Sequence, residues 1–133
     1  ICATHEPSLR ILNEPAAAIA RLHALGTTLT AYPFPNDIDF NNPAHVDGLI
    51  RRLGEVGAQF RAAGLRLGYH NHANEFYRPA GGPTFLDRVY AETAPTDLVG
   101  LPDTYFVRCG GDGVGGCGWR MADQHSQPFI HLK

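Results

Sequence analysis

The chain has little of what marks an extracellular, membrane or nucleic-acid-binding protein. It holds three cysteines, Cys2, Cys109 and Cys117. An odd number without a Cys-x-x-Cys spacing builds neither a disulfide framework nor a common metal site, so the thiols read as reduced and the compartment as cytoplasmic. No apolar run reaches the roughly 20 residues a membrane span requires, and nothing resembles a signal peptide, so no membrane partner is expected. Charge of one sign is also missing. With 11 Lys+Arg against 13 Asp+Glu the formal charge is −2, and no basic run occurs, which argues against nucleic acid as a partner.

What is present suits a packed core. Hydrophobic residues make up 44% and charged residues 18% of 133 positions, the composition and length of one globular domain. The chain opens on Ile1 inside an apolar run and stops on Phe129-Ile130-His131-Leu132-Lys133, which reads as a strand. Both ends are therefore expected to be cut from a longer protein.

Strand and helix signals alternate along the chain. Residues 1–5 read as a strand end. Asn13 is expected to cap a helix with Pro15 in its first turn, Ala18, Ile19, Leu22 and Leu25 on one stripe and Gly26 as its left-handed stop. Residues 27–32 (TTLTAY) read as a strand before a loop at 33–42. The next helix is the clearest: Asn42 caps it, Pro43 begins it, Val46, Leu49, Ile50, Leu53, Val56 and Phe60 form its apolar stripe, and Gly64 ends it. That stripe is core packing and carries no function. A strand at 65–72, a helix at 84–93, a strand at 97–103, a short helix at about 119–125 and a strand at 129–133 complete the pattern. Pro102 weakens the 97–103 strand because it removes a ladder donor. Repeated strand–helix units imply parallel strands with helices outside, and sites at the strands' C-terminal ends.

The chemistry concentrates in residues 65–76, LRLGYHNHANEF. Leu65, Leu67 and Tyr69 alternate with Arg66, Gly68, His70 and His72, so His70 and His72 share a face, with Glu75 on the turn beyond. Two imidazoles and a nearby carboxylate suit a divalent metal or proton transfer. A hydrogen-bonded histidine pair with no metal is the plainer alternative. Asp103 could equally cap the turn that follows it, His131 could be an interior residue, and Lys133 could be merely solvated. His23, His45 and His125 receive no role. The glycine-rich 110–118 stretch lacks the Lys-Ser/Thr ending of a phosphate loop.

Taken together, residues 64–72 with Glu75-Phe76, Asp103-Thr104-Tyr105-Phe106-Val107 with Gly110-Gly111, and His131-Leu132-Lys133 resemble the sugar phosphate isomerase/epimerase group of xylose-isomerase-like (β/α)8 TIM barrels. The resemblance spans the chain as about the third to seventh strands. It implies a divalent metal (manganese, cobalt, zinc or magnesium) at the C-terminal mouth. Asp103 and His131 fall on ligand positions, and either His70 or Glu75 supplies the fifth-strand ligand. Glu75 and His72 become candidates for proton transfer, and His5, Asn71 and Lys133 for contact with a small sugar substrate. Phe106 stands where a tryptophan is common.

The implied reaction is proton abstraction next to a carbonyl, giving isomerisation or epimerisation of a sugar, keto-sugar or inositol-derived substrate. The eighth-strand glutamate would lie beyond Lys133 and the first two strands before Ile1, so residues 1–133 alone are expected to be inactive. Other readings are a metal-dependent hydrolase or lyase on an oxidised sugar, an abasic-site endonuclease relative and a non-catalytic fragment. Assembly into a homo-oligomer is left open.

Overall fold

The computed structural model describes residues 3–76, 78 and 81–110. Four parallel strands form one sheet in sequential order: β1 (Thr4–His5), β2 (Leu29–Tyr32), β3 (Arg66–His70) and β4 (Leu98–Leu101). Between and after them lie α1 (Ser8–Asn13), α2 (Pro15–Leu25), α3 (Pro43–Ala62), a 3-10 turn (Asn74–Phe76), α4 (Phe85–Glu92) and α5 (Thr104–Cys109). Parallel neighbours in sequential order are the arrangement that strand–helix repeats dictate.

Register sorts the side chains into two layers. Thr30 pairs with Leu67 and then Leu98, and Tyr32 pairs with Tyr69. Tyr32, Leu67, Tyr69 and Leu98 lie in one buried cluster with helical residues including Leu22, Leu53, Phe60 and Val89. Leu29, Ala31, Val99 and Leu101 form a second, separate cluster, which is the opposite face of the sheet. A side chain on Gly68 would run into Leu101, so β4 packs across β3 on this inner face.

The α3 helix carries the outer layer. Asn42 Oδ1 accepts the Ala44 N–H at 3.0 Å, Pro43 occupies the first turn, and Val46, Ile50, Leu53, Val56 and Phe60 are buried. Each such apolar side chain contributes roughly 1.5–3 kcal/mol. Gly64 turns the chain at φ 76° and releases it into β3. Thr84 and Asp87 close a reciprocal capping box on α4.

Several expectations need correction. Asn13 does not cap a helix; it ends α1, and α2 starts from Glu14 with no side-chain cap. At six residues α1 is too short to be recognised from periodicity, and contacts from elsewhere hold it. Ile11 is wholly buried, and Arg52 Nε on α3 donates to the Leu12 carbonyl at 3.0 Å. The strands are also shorter than read: β2 begins at Leu29, β3 ends at His70 and β4 ends at Leu101, just before Pro102, whose missing N–H cannot extend the ladder. Helix α5 was not foreseen. The helix at about 119–125, the strand at 129–133, His131 and Lys133 lie outside the described residues.

Gly57 marks where α3 meets the turn before β4, since an added Cβ would overlap the Asp97 carbonyl. Gly57→Ala is expected to lower unfolding free energy by about 1–3 kcal/mol. Gly48→Ala on the same helix meets nothing within 4 Å and should gain roughly 0.5–1 kcal/mol. Urea denaturation of the two variants checks both signs.

Candidate functional site

The polar residues gather where β1, β3 and β4 end. His70 pairs in register with Leu101, so Asp103, two residues further on, rises on the same inner face as His70. His70 Nε2 lies 3.9 Å from Asp103 Oδ2. Both residues are buried. Asp103 is held from three directions. Its N–H donates to Asn71 Oδ1 at 3.0 Å, its Oδ1 accepts the Tyr105 N–H at 3.0 Å as the cap of α5, and Oδ2 faces the His70 imidazole. The aspartate thus caps the following helix, the alternative posed above, and also faces a histidine.

His5 joins from β1. Its row across the sheet continues as Ala31, Gly68 and Val99. The two small residues let the rings of His5 and His70 come to 5.2 Å between centroids. His72 stands beyond the last ladder pair of β3. Its ring meets His70 at 5.1 Å and 88°, Phe34 at 5.1 Å edge-on and Phe106 at 4.6 Å. An imidazole walled by two phenyl rings is fixed in orientation by their packing.

Glu75 is wholly buried and faces a different way. Its Oε1 accepts from the Tyr69 hydroxyl at 3.1 Å, and Oε2 accepts the His72 N–H at 3.1 Å. Tyr69 belongs to the outer apolar layer, so the glutamate is tied to that side, whereas Asp103 stands with inner-face His70. The two carboxylates meet the histidines separately, since His72 Nδ1 is 3.8 Å from Glu75 Oε1. Burial pushes the Glu75 carboxyl above its usual range, opposed in part by the bonds from its own amide, the His72 amide and Tyr69. Burial likewise pushes the Tyr69 hydroxyl well up, and the Glu75 charge adds to it.

The structure therefore gathers His5, His70, Asn71, His72, Glu75 and Asp103 into one neighbourhood. Phe34 and Tyr69 went unrecognised as parts of it. Phe34 follows β2 in a proline-rich loop with no local signal, and only the strand order brings it to His72. Tyr69 reads as a core residue, and its hydroxyl role needs the turn at Glu75. Glu6, also buried, turns away to Arg21 at 2.9 Å and Arg10 at 3.4 Å. Among the described residues no three His, Cys, Asp or Glu side chains stand together closely enough to hold a metal ion. The pair His70 and Asp103 supplies one imidazole nitrogen and one carboxylate oxygen, the donor chemistry that divalent ions take.

No family model matches the chain, and no curated protein matches it by sequence. Solved structures do match it. A sugar phosphate isomerase/epimerase from Parabacteroides distasonis superposes with a TM-score of 0.77 at 18% identity, over 100% of this chain and 62% of its own. A second sugar phosphate isomerase/epimerase from the same organism gives 0.75 at 20% identity, over 89% of this chain and 45% of its own. A D-psicose 3-epimerase from Clostridium cellulolyticum, solved with D-tagatose, gives 0.65 at 17% identity, over 98% and 51%. This chain thus spans 62% or less of the length of these neighbours. At such identities the likeness establishes the fold, part of a parallel TIM barrel with outer helices, and the neighbours' names agree with the resemblance carried by the motifs. Among the described residues no helix is long and apolar enough to cross a membrane.

The raised Glu75 carboxyl gives a pH test. The fold holds this proton more tightly than the unfolded chain does, so its stabilising contribution is complete below the ordinary carboxyl pKa of about 4.5. It is lost as pH rises through the folded value. Stability of the wild type relative to Glu75→Gln should therefore fall between pH 4 and pH 8, measured by denaturant midpoints. A rise over that range would contradict the burial argument.

Proposed function

We propose that this chain is part of a divalent-metal-dependent isomerase or epimerase that moves a proton on the carbon next to a sugar carbonyl. The observation that carries the reading is the approach of His70 Nε2 to Asp103 Oδ2, 3.9 Å apart and buried at the C-terminal ends of adjacent parallel strands, where barrels of this class build their sites. The names of the superposed structures support the same reading.

His70 and Asp103 would hold the ion, with His131 as the further ligand that the motif resemblance implies. Their mixed nitrogen and oxygen set suits manganese, cobalt or zinc, and magnesium less well because of the imidazole. A bound ion of this kind supplies Lewis acidity at the carbonyl oxygen, lowering the barrier to loss of the neighbouring proton. His72 is the proton carrier: its side chain is 27% exposed beside the His70–Asp103 pair, and Phe34 and Phe106 hold its ring. Glu75 acts through His72 rather than on substrate, because its oxygens are engaged by Tyr69 and the His72 amide. In its ionised form, 3.8 Å from Nδ1, it favours the imidazolium that forms when His72 accepts a proton. His5, exposed at the end of β1, is suited to bind substrate hydroxyls, and the motif resemblance adds Lys133 to that role. Delivery of a proton to the opposite face of the same carbon, by a second group across the substrate, inverts it, and delivery to the neighbouring carbon isomerises the sugar.

A closed barrel needs about 250 residues, so residues 1–133 on their own should turn over no substrate. In the complete protein, incubation of a keto-sugar in deuterated water with manganese should place deuterium on the carbon next to the carbonyl. Asp103→Asn and His70→Ala should each lower kcat/KM by at least about 10²-fold, and His72→Asn by about 10²–10⁴-fold. Full exchange in the Asp103→Asn variant, or robust turnover by purified residues 1–133, would contradict the proposal.

A further inference from the structure

Asn71 lies between the two histidines of the motif, yet its side chain engages neither. We infer that Asn71 is a positioning residue whose carboxamide sets the place of Asp103; the inference builds on the metal-site reading of His70 and Asp103. The last β3–β4 ladder pair is His70 with Leu101. β4 ends at Leu101, and Pro102 follows it. The chain must still deliver Asp103 to the inner face, and its buried N–H needs an acceptor. Asn71 Oδ1 accepts that N–H at 3.0 Å, so a side chain at β3's end carries the bonding between the two segments past the last ladder pair.

Both residues are wholly buried, so the N–H and the carboxamide are held out of bulk water. The bond also fixes the orientation of the amide, since only its oxygen can accept from a backbone N–H. Asn71 Nδ2 is buried with no hydrogen-bond partner among the described residues. Asp103 is thus anchored at its N–H by β3 and at Oδ1 by α5, and Oδ2 is directed at His70. Asparagine suits the task chemically. It offers a neutral acceptor of the right reach, whereas an aspartate would set a second negative charge against Asp103.

Amide hydrogen exchange and manganese binding test this in the full chain. In the wild type the Asp103 amide should be protected. In Asn71→Ala it should exchange at least tenfold faster while the amides of Leu98–Leu101 keep their rates. The Kd for Mn²⁺ should rise at least tenfold in Asn71→Ala. It should stay unchanged in Thr93→Val, which removes a buried hydrogen bond of 2.7 Å on α4's end and lowers stability alone. An Asp103 amide that exchanges at the wild-type rate in Asn71→Ala, or that speeds up only in step with all of β4, overturns the inference. Wild-type protein that protects Asp103 as expected but binds no Mn²⁺ sinks the metal reading instead, and leaves the positioning role standing.

Discussion

Everything at the candidate site depends on the parallel register of β3 and β4. That register sets His70 opposite Leu101, and two more residues bring Asp103 up beside the imidazole. A slip of one residue would turn every side chain of a strand to the other face. His70 would then enter the outer apolar layer and Tyr69 the inner one. The register is held by burial on both faces. Leu67, Tyr69 and Leu98 are packed under the helices, and Val99 and Leu101 are packed with Leu29 and Ala31 on the other side. The hydrophobic layers thus do more than stabilise the sheet, because they decide which polar groups meet.

The site divides labour between two carboxylates by environment. Asp103 spends one oxygen on capping α5 and turns the other to His70. Glu75 is enclosed, bonded to a phenol and a backbone amide, and pushed toward its protonated form by burial. Sequence alone does not tell the parts of the two acidic groups apart. In three dimensions they face different imidazoles: Glu75 lies with Tyr69 and His72, and Asp103 with His70.

Much of this was legible in the residues. The α3 stripe and its Asn42 and Pro43 start, the Gly26 and Gly64 stops, and the alternation through Tyr69 follow from helix and strand periods alone. So does the grouping of Asp103 with Val99 and Leu101 on one face. The misses have physical causes. Helix α1 and helix α5 are each six residues long, and so short a helix is made by its tertiary partners rather than by local pattern. Asn13 resembles a cap but lies inside that unrecognised helix. The His72 clamp escaped because Phe34, His72 and Phe106 are far apart in sequence and come together only through strand order. The Asn71–Asp103 bond escaped because it depends on where the ladder stops, and strand ends are what sequence patterns define least well.

The central claim is that His70 and Asp103 belong to one divalent cation site at the strand ends. Anomalous diffraction at the manganese edge, from crystals of the complete protein equilibrated with Mn²⁺, measures this directly. The account predicts a peak bonded to His70 Nε2 and Asp103 Oδ2. A well-ordered site with both side chains visible and no peak between them, or a peak held by other residues, would contradict it.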